Sequence, residues 1–171
     1  KHNYLGPKYS DEEIETFLRG WKIDFQHLDS PAAAAATLLN QGKILGWFQG
    51  GIEFGDRALG NRSILGDPRD LKMKDRINST IKYREEFRPF APAVLFENAA
   101  EIFEDPDPTA FMEKVYPIRP EWREKIPAVT HVDYSARIQT VHEETNPRYH
   151  RLIKDFEAKT GCPVIVNTSF N

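Results

Sequence analysis

The residues best suited to chemistry lie in the segment 50–63, which has the sequence GGIEFGDRALGNRS. Its glycines allow the backbone to approach a ligand and to point N–H groups at an anion. Arg57 and Arg62 carry planar guanidinium groups that suit phosphate or carboxylate. The spacing matches neither a Walker loop nor a dinucleotide-binding fingerprint. The segment predicts an anion-binding loop of another kind; the alternative is a structural turn whose arginines pair with Glu53, Asp56 or Asp67.

A second group of cations follows in the segment 82–90, KYREEFRPF. If this segment is extended, Lys82 and Arg84 share one face, and the rigid prolines at 89 and 92 hold Arg88 nearby. Three cations would then converge on phosphate groups. The alternative is a solvated run of charge that Glu85 and Glu86 neutralise.

Two polar clusters come later in the chain. His131 and Asp133 are spaced like an acid–base or metal-binding pair, and Arg137 and Gln139 follow them, but one histidine and one carboxylate are too few for a metal site. The alternative is a hydrogen-bonded structural histidine. The segment 167–171, NTSFN, follows a predicted strand, and ligands of open α/β sheets usually lie beyond the carboxyl ends of strands. An Asx or Ser turn is the alternative there.

Helices and strands must position these clusters. N-cap residues predict helices after Ser10, Ser30 and Asn146, and apolar residues spaced by four predict a helix over 71–81. The alanine-rich second helix is expected to pack closely on a sheet.

Short apolar runs predict strands at 44–48, 93–96 and 163–167, the first of them buried. Weaker patterns favour a strand at 111–115 and a hairpin formed by 129–132 and 136–141. These elements predict an α/β (α+β) domain, a mixed sheet with helices packed on it.

Composition excludes several classes of protein. The chain has 171 residues, 40% hydrophobic and 29% charged, which is typical of one folded domain rather than a disordered or fibrous chain. One cysteine, Cys162, rules out an internal disulfide, and with no signal core or membrane-length apolar run the sequence predicts a cytoplasmic protein.

The net charge of −3 is unevenly distributed. The segment 57–88 carries +4, which leaves −7 for the rest of the chain. A short basic stretch in an acidic protein favours a small anionic ligand over a long nucleic acid, which needs a broad basic face.

Taken together, the motifs resemble the C-terminal domain of the NodU/CmcH carbamoyltransferase family. The matching segments run through the whole chain and are YLGP (4–7), SDEEI (10–14), GIEFGDRALGNRSIL (51–65), DPR (67–69), MKDRIN (73–78), FRPFAP (87–92), AVTHVD (128–133), ARIQTV (136–141) and NTSFN (167–171).

The resemblance implies a YrdC-like fold in which ATP, accompanied by Mg²⁺, and carbamoyl phosphate form a carbamoyl-adenylate with loss of pyrophosphate. The intermediate would pass to an N-terminal metal-dependent transferase domain of the same polypeptide, which carbamoylates a hydroxyl of the acceptor. The resemblance also implies that residues 1–171 are one domain of a longer enzyme, because relatives continue past Asn171 through a Gly-Glu-Pro segment.

Site residues are implied in the same way. Lys82, Arg88 and Arg137 are expected at the phosphates and the carbamoyl group. The expected substrate-binding residues around them are Arg57, Asn61, Arg62, Ser63, Arg84, His131, Asn167 and Ser169. Many relatives have proline where this chain has Asp56, and a carboxylate there is expected to pair with Arg57 and weaken it as a ligand.

Two other hypotheses compete with the enzyme. One is a nucleotide- or RNA-binding module without catalysis, which should show a steep salt dependence and a wide basic face if it binds RNA. The other is a structural domain that docks on the N-terminal domain and binds no nucleotide.

Overall fold

A mixed five-stranded sheet forms the centre of the protein. The computed structural model describes residues 2–83, 85 and 88–170. The main-sheet strands are β1 (Leu45–Phe48), β2 (Arg62–Gly66), β3 (Ala91–Leu95), β6 (Gln139–Val141) and β7 (Val164–Thr168), and they lie side by side in the order β1-β2-β7-β3-β6. A small second sheet pairs β4 (Val115–Pro117) with β5 (Ser135–Arg137). Within the main sheet β3 and β6 run parallel and the other neighbours antiparallel, so the predicted mixed sheet is confirmed.

Three of the six helices, those after Ser10, Ser30 and Asn146, begin where the caps predict. They are α1 (Asp11–Gly20), α2 (Pro31–Asn40), α3 (Met73–Ile77), α4 (Ala99–Ile102), α5 (Pro120–Arg123) and α6 (Pro147–Thr160). Ser10 and Glu13 form both hydrogen bonds of a capping box, and Asn146 caps α6 by accepting from the Tyr149 N–H. Helix α3 continues as a π-helical turn, Asn78–Lys82, so the helix predicted over 71–81 forms in this modified way.

The main core lies between the sheet and the pair α2 and α6. Leu39, Leu152 and Phe156 are fully buried there together with Val164 of the central strand. The alanine face of α2 packs mainly along α6, with fewer contacts to β1, whereas the sequence suggested packing on the sheet.

The strand predicted at 44–48 forms as β1, but the prediction that it is buried is wrong. β1 is an edge strand whose residues alternate between half-buried and exposed, because only β2 pairs with it. Phe111 and the residues after it do not form the predicted strand, since Met112 has φ +58° and pairing starts only at Val115.

The predicted hairpin also does not form. Pro127–Val129 is a 3₁₀ turn, β5 pairs with β4, and β6 joins the main sheet beside β3. Ile138 lies between β5 and β6 and is the point at which the chain passes from one sheet to the other.

Candidate functional site

A polar cleft lies where the carboxyl end of β7 meets the start of β3. It has a volume of about 110 Å³ and is lined by the segments 56–58, 89–91 and 167–169 together with Met112 and Arg137. Four of the predicted site residues, Arg57, Arg137, Asn167 and Ser169, therefore line one cleft, and Asn167 pairs there with Ala91 at the start of β3.

Two arginines dominate the charge of this cleft. Burial is the main cause that lowers the pKa of Arg137, the positive charge of Arg57 lowers it further, and Asp56 opposes both effects. Arg57 lies 3.6 Å from Asp56, as the sequence predicted, but these side chains are 44% and 86% exposed, so the ion pair is weak. The cleft therefore holds two guanidinium groups facing one solvated carboxylate, which favours an anion.

Two lining residues of the cleft each carry a buried polar atom that has no hydrogen-bond partner within the described part of the chain, the Nε of Arg137 and the Oδ1 of Asn167. Such groups are rare because they lose hydration without compensation. Asn167 is held by its amide nitrogen, which donates to the Ala58 carbonyl at 3.0 Å and to Gln139 Oε1 at 2.8 Å. Its Oδ1 has no hydrogen-bond partner among the described residues.

Gln139 has a positioning role that the sequence did not assign. Besides accepting from Asn167, its Nε2 donates to the Leu59 carbonyl at 2.8 Å. One buried amide thus joins the end of β7 to the loop that carries Arg57. The alternation of polar residues at 137 and 139 in the sequence indicated that one of them is important, but it did not show which of the two lines the cleft.

Lys82 reaches the edge of the cleft through Ser169. Its ammonium group donates to the Ser169 carbonyl and lies 3.2 Å from the Ser169 hydroxyl. The π-helical turn ends at Lys82, and Tyr83 follows in a left-handed conformation with φ +48°. Lys82 thus lies beside the cleft, in contact with one of its lining residues.

The backbone N–H groups of the glycine-rich segment bind a carboxylate of the protein itself, that of Glu53. Glu53 Oε1 accepts from the backbone N–H groups of Leu59, Asn61 and Arg62 at 2.9, 2.7 and 3.2 Å. The N–H groups expected to hold a phosphate are therefore occupied by a buried carboxylate. The glycines serve packing, since a Cβ at Gly60 would lie 2.2 Å from the ring of Tyr149.

Three predicted substrate-binding residues lie behind this turn rather than in the cleft. Asn61 donates to the Gly51 carbonyl at 2.7 Å, and Ser63 accepts from the Gly60 N–H at 3.0 Å. Arg62 donates to the carbonyls of residues 49, 50 and 61 and stacks over Phe48 at 3.5 Å. In the structure all three shape the loop.

Two more predicted residues, Arg88 and His131, are not among the residues that line the cleft. Arg88 is exposed and its Nε lies 3.2 Å from Glu85. His131 faces Ser135, with 3.3 Å between Nδ1 and Oγ. Burial is the main cause that lowers the pKa of His131; Asp133 opposes it and Arg137 adds to it. Arg84 lies outside the residues that the structure describes.

The local excess of basic residues is not one anion site. Arg69 forms a double hydrogen bond with Asp67, with the shortest distance 2.7 Å, and Arg76 lies 3.4 Å from Asp70. Among the described residues of 57–88, Arg57 is the cation that lines the cleft and Lys82 adjoins it. The cationic cleft thus combines Arg57 from this segment with Arg137, which is distant in the sequence.

Neither a metal-binding cluster nor a membrane-spanning helix is present in the described part of the chain. No group of three or more His, Cys, Asp or Glu side chains in it is placed to hold a metal ion. None of its helices is long and apolar enough to cross a membrane.

Comparison with known proteins gives a consistent result. A family model described as "Carbamoyltransferase C-terminus" matches residues 36–171. The uncharacterized protein sll1178 of Synechocystis is 48% identical over 99% of this chain and 31% of its own length. Nodulation protein NolO of Bradyrhizobium diazoefficiens is 47% identical over 98% of this chain and 32% of its own length. Nodulation protein U of Rhizobium tropici is 43% identical over 80% of this chain and 24% of its own length. The chain thus spans about a third or less of these relatives.

Proposed function

The chain belongs to the carbamoyltransferase C-terminal family, and from this premise we propose that it activates the carbamoyl group of carbamoyl phosphate for transfer to a hydroxyl acceptor. The proposed product is a carbamoyl-adenylate, made with ATP. The main support for the proposal is that Arg57, Arg137 and Asn167 line one cleft, and that Asn167 Oδ1 has no hydrogen-bond partner in the described structure.

The chemistry of this cleft complements carbamoyl phosphate. The phosphate group requires cations, which Arg57 and Arg137 supply. The carbamoyl group has an NH₂ donor and a carbonyl acceptor, which suit Asn167 Oδ1 and the guanidinium of Arg137. At about 110 Å³ the cleft is smaller than the roughly 300–1,000 Å³ of sites for larger ligands, so a compact anion fits it better than a whole nucleotide.

The proposed reaction consists of two successive displacement steps. Water cleaves carbamoyl phosphate to carbamate and inorganic phosphate, and a carbamate oxygen then attacks the α-phosphorus of ATP and displaces pyrophosphate. The protein contributes by positioning the reactants and by offsetting negative charge. ATP enters as its magnesium complex, with the nucleotide at the mouth of the cleft, where Lys82 contacts the lining residue Ser169 and is proposed as a phosphate ligand. Arg84 and Arg88, which follow Lys82 in the sequence, are further candidates.

The transfer to the acceptor is assigned to the remainder of the polypeptide. The relatives carry about two thirds or more of their length outside the matched region. We assign acceptor binding and the metal-dependent transfer step to that N-terminal region. The chain described by this structure would then perform the activating half-reaction.

The experiment is carbamoyl phosphate-dependent exchange of pyrophosphate into ATP, measured on the full-length protein. The Arg137→Ala variant should lose about 10- to 150-fold in kcat/KM for carbamoyl phosphate, because one charge-assisted hydrogen bond contributes about 1.5–3 kcal/mol. Arg151→Ala is the matched control, since Arg151 is exposed and pairs with Asp155 on α6. Absence of exchange by a folded protein that binds ATP would contradict the proposal and favour a non-catalytic nucleotide-binding module.

A further inference from the structure

An unusual apolar surface lies on the side of the protein formed by α1 and β1. Tyr9, Ile14, Phe17 and Phe48 line a groove of about 470 Å³, which we call the aromatic groove. Phe17 and Phe48 are 57% and 53% exposed, and the neighbouring Trp21 is 72% exposed. Contiguous exposed aromatic side chains of this kind usually mark an interaction surface.

Helix α1 does not have a buried face to stabilise it. It contains ten residues and none of them is buried, although its apolar residues recur at helical spacing. Isolated helices shorter than about 12–15 residues are marginal in water, so a helix of this length depends on packing. The ion pair of Glu15 with Arg19 and the capping box stabilise its polar side only. The apolar side of α1 is therefore suited to burial against a further surface.

Strand β1 contributes a second feature to the same surface. It is an edge strand of the main sheet, paired with β2 alone, and Phe48 stands at its end. Exposed sheet edges beside apolar side chains are usually covered in native proteins, because they would otherwise pair with other chains. Tyr9 stacks on Phe48 with 6.4 Å between ring centroids but leaves both rings more than half exposed.

The comparisons indicate what covers this surface. The family model starts at residue 36, after α1, yet the alignments to sll1178 and NolO cover 99% and 98% of the chain and so include α1. About two thirds of each of these relatives lies outside the match. The family description places the matched part toward the C-terminus, so we take most of the outside part to precede it.

We infer that the aromatic groove is the docking surface for the N-terminal region of the same polypeptide. The polar side of α1 carries Asp11, Glu12, Glu13 and Glu15, so the matching surface should have an apolar centre and a basic rim. Phe17 is the central contact, since it borders the groove and lies 6.0 Å from Trp21, measured between ring centroids. The inference rests on family membership and exposed surface, and it does not depend on the proposed reaction.

The test is site-specific photo-cross-linking in the full-length polypeptide. A photoreactive phenylalanine analogue replaces Phe17, and cross-linked peptides are identified by mass spectrometry. We expect cross-links within one polypeptide to peptides of the N-terminal region. The control position is Val132, which is fully exposed in the turn before β5 and should give at least tenfold fewer such cross-links. Cross-links to a second copy, to unrelated proteins only, or to no N-terminal peptide would overturn the inference.

A substitution gives an independent readout. Phe17→Arg should increase by about tenfold the rate at which a protease separates the two regions of the full-length protein, whereas Phe17→Leu should change it little. Circular dichroism of both variants checks the fold, which should persist because Phe17 is more than half exposed. Equal proteolysis rates for Phe17→Arg and the unsubstituted protein would contradict the inference. If Phe17→Arg unfolds the protein, the cross-linking result decides.

Discussion

Replacement of Gly60 by alanine tests how the loop beside the cleft is held. Gly60 has φ +100°, and an added Cβ would lie 2.2 and 2.5 Å from two ring carbons of Tyr149. Tyr149 is fully buried in α6 and has no room to move away. Backbone strain of about 1–3 kcal/mol and overpacking of about 1–3 kcal/mol then give a loss of about 2–6 kcal/mol in the free energy of unfolding.

The assay is urea and thermal unfolding of the purified chain, followed by circular dichroism. At about 2–4 °C per kcal/mol for a chain of this size, Gly60→Ala should lower the Tm by roughly 5–20 °C. Gly161→Ala is one control, because Gly161 has φ +70° but open space around it, and should cost only about 1–2 kcal/mol of strain. Gly20→Ala is the second control, with open space and no positive φ. A Gly60→Ala variant no less stable than Gly161→Ala would refute the role assigned to Tyr149.

Three further predictions concern buried groups. Glu53→Ala should cost about 3 kcal/mol in urea unfolding because it strands three backbone N–H groups, and Glu53→Gln should cost less than half of that; equal losses would contradict this account. Burial holds the pKa of Cys162 at about 12, so a thiol reagent at pH 8 should label the native protein at least ~100-fold more slowly than the unfolded one, and rapid native labelling would show that Cys162 is accessible. Burial lowers the pKa of His131 and His142 below 6.5, so the unfolded chain binds more protons and stability should fall as the pH drops from 7 to 5; this slope should flatten when both are replaced by glutamine, and an unchanged slope would assign it to other groups.

Local signals in the sequence predicted helices α1, α2 and α6 well, but not the short helices α4 and α5. Ser10 with Glu13, and Asn146 with Gly161, specify helix ends through hydrogen bonds and backbone angles that involve only neighbouring residues. The strands between α4 and α6 were harder to predict. Val115 pairs with Arg137, across 22 positions of sequence, and nothing local to either residue indicates that partner.

The site was predictable in part for the same reason. Asn167 lies at the carboxyl end of β7 and Ser169 directly follows that strand, and both line the cleft, in agreement with the rule for carboxyl ends of strands. The sequence left the glycine-rich loop open between an anion site and a structural turn, because backbone N–H groups suited to a phosphate are equally suited to the carboxylate of Glu53. The choice between them depends on the tertiary position of Glu53, which spacing does not reveal. Arg57 and Arg137 likewise line one cleft because the sheet brings their distant segments together, which spacing in the sequence does not show.

A crystal structure of the chain with carbamoyl phosphate would show directly whether this anion binds in the cleft. We expect the phosphate between Arg57 and Arg137, with the carbamoyl nitrogen within hydrogen-bonding distance of Asn167 Oδ1. A ligand bound elsewhere with this cleft empty, or a well-ordered protein that binds no carbamoyl phosphate, would contradict it.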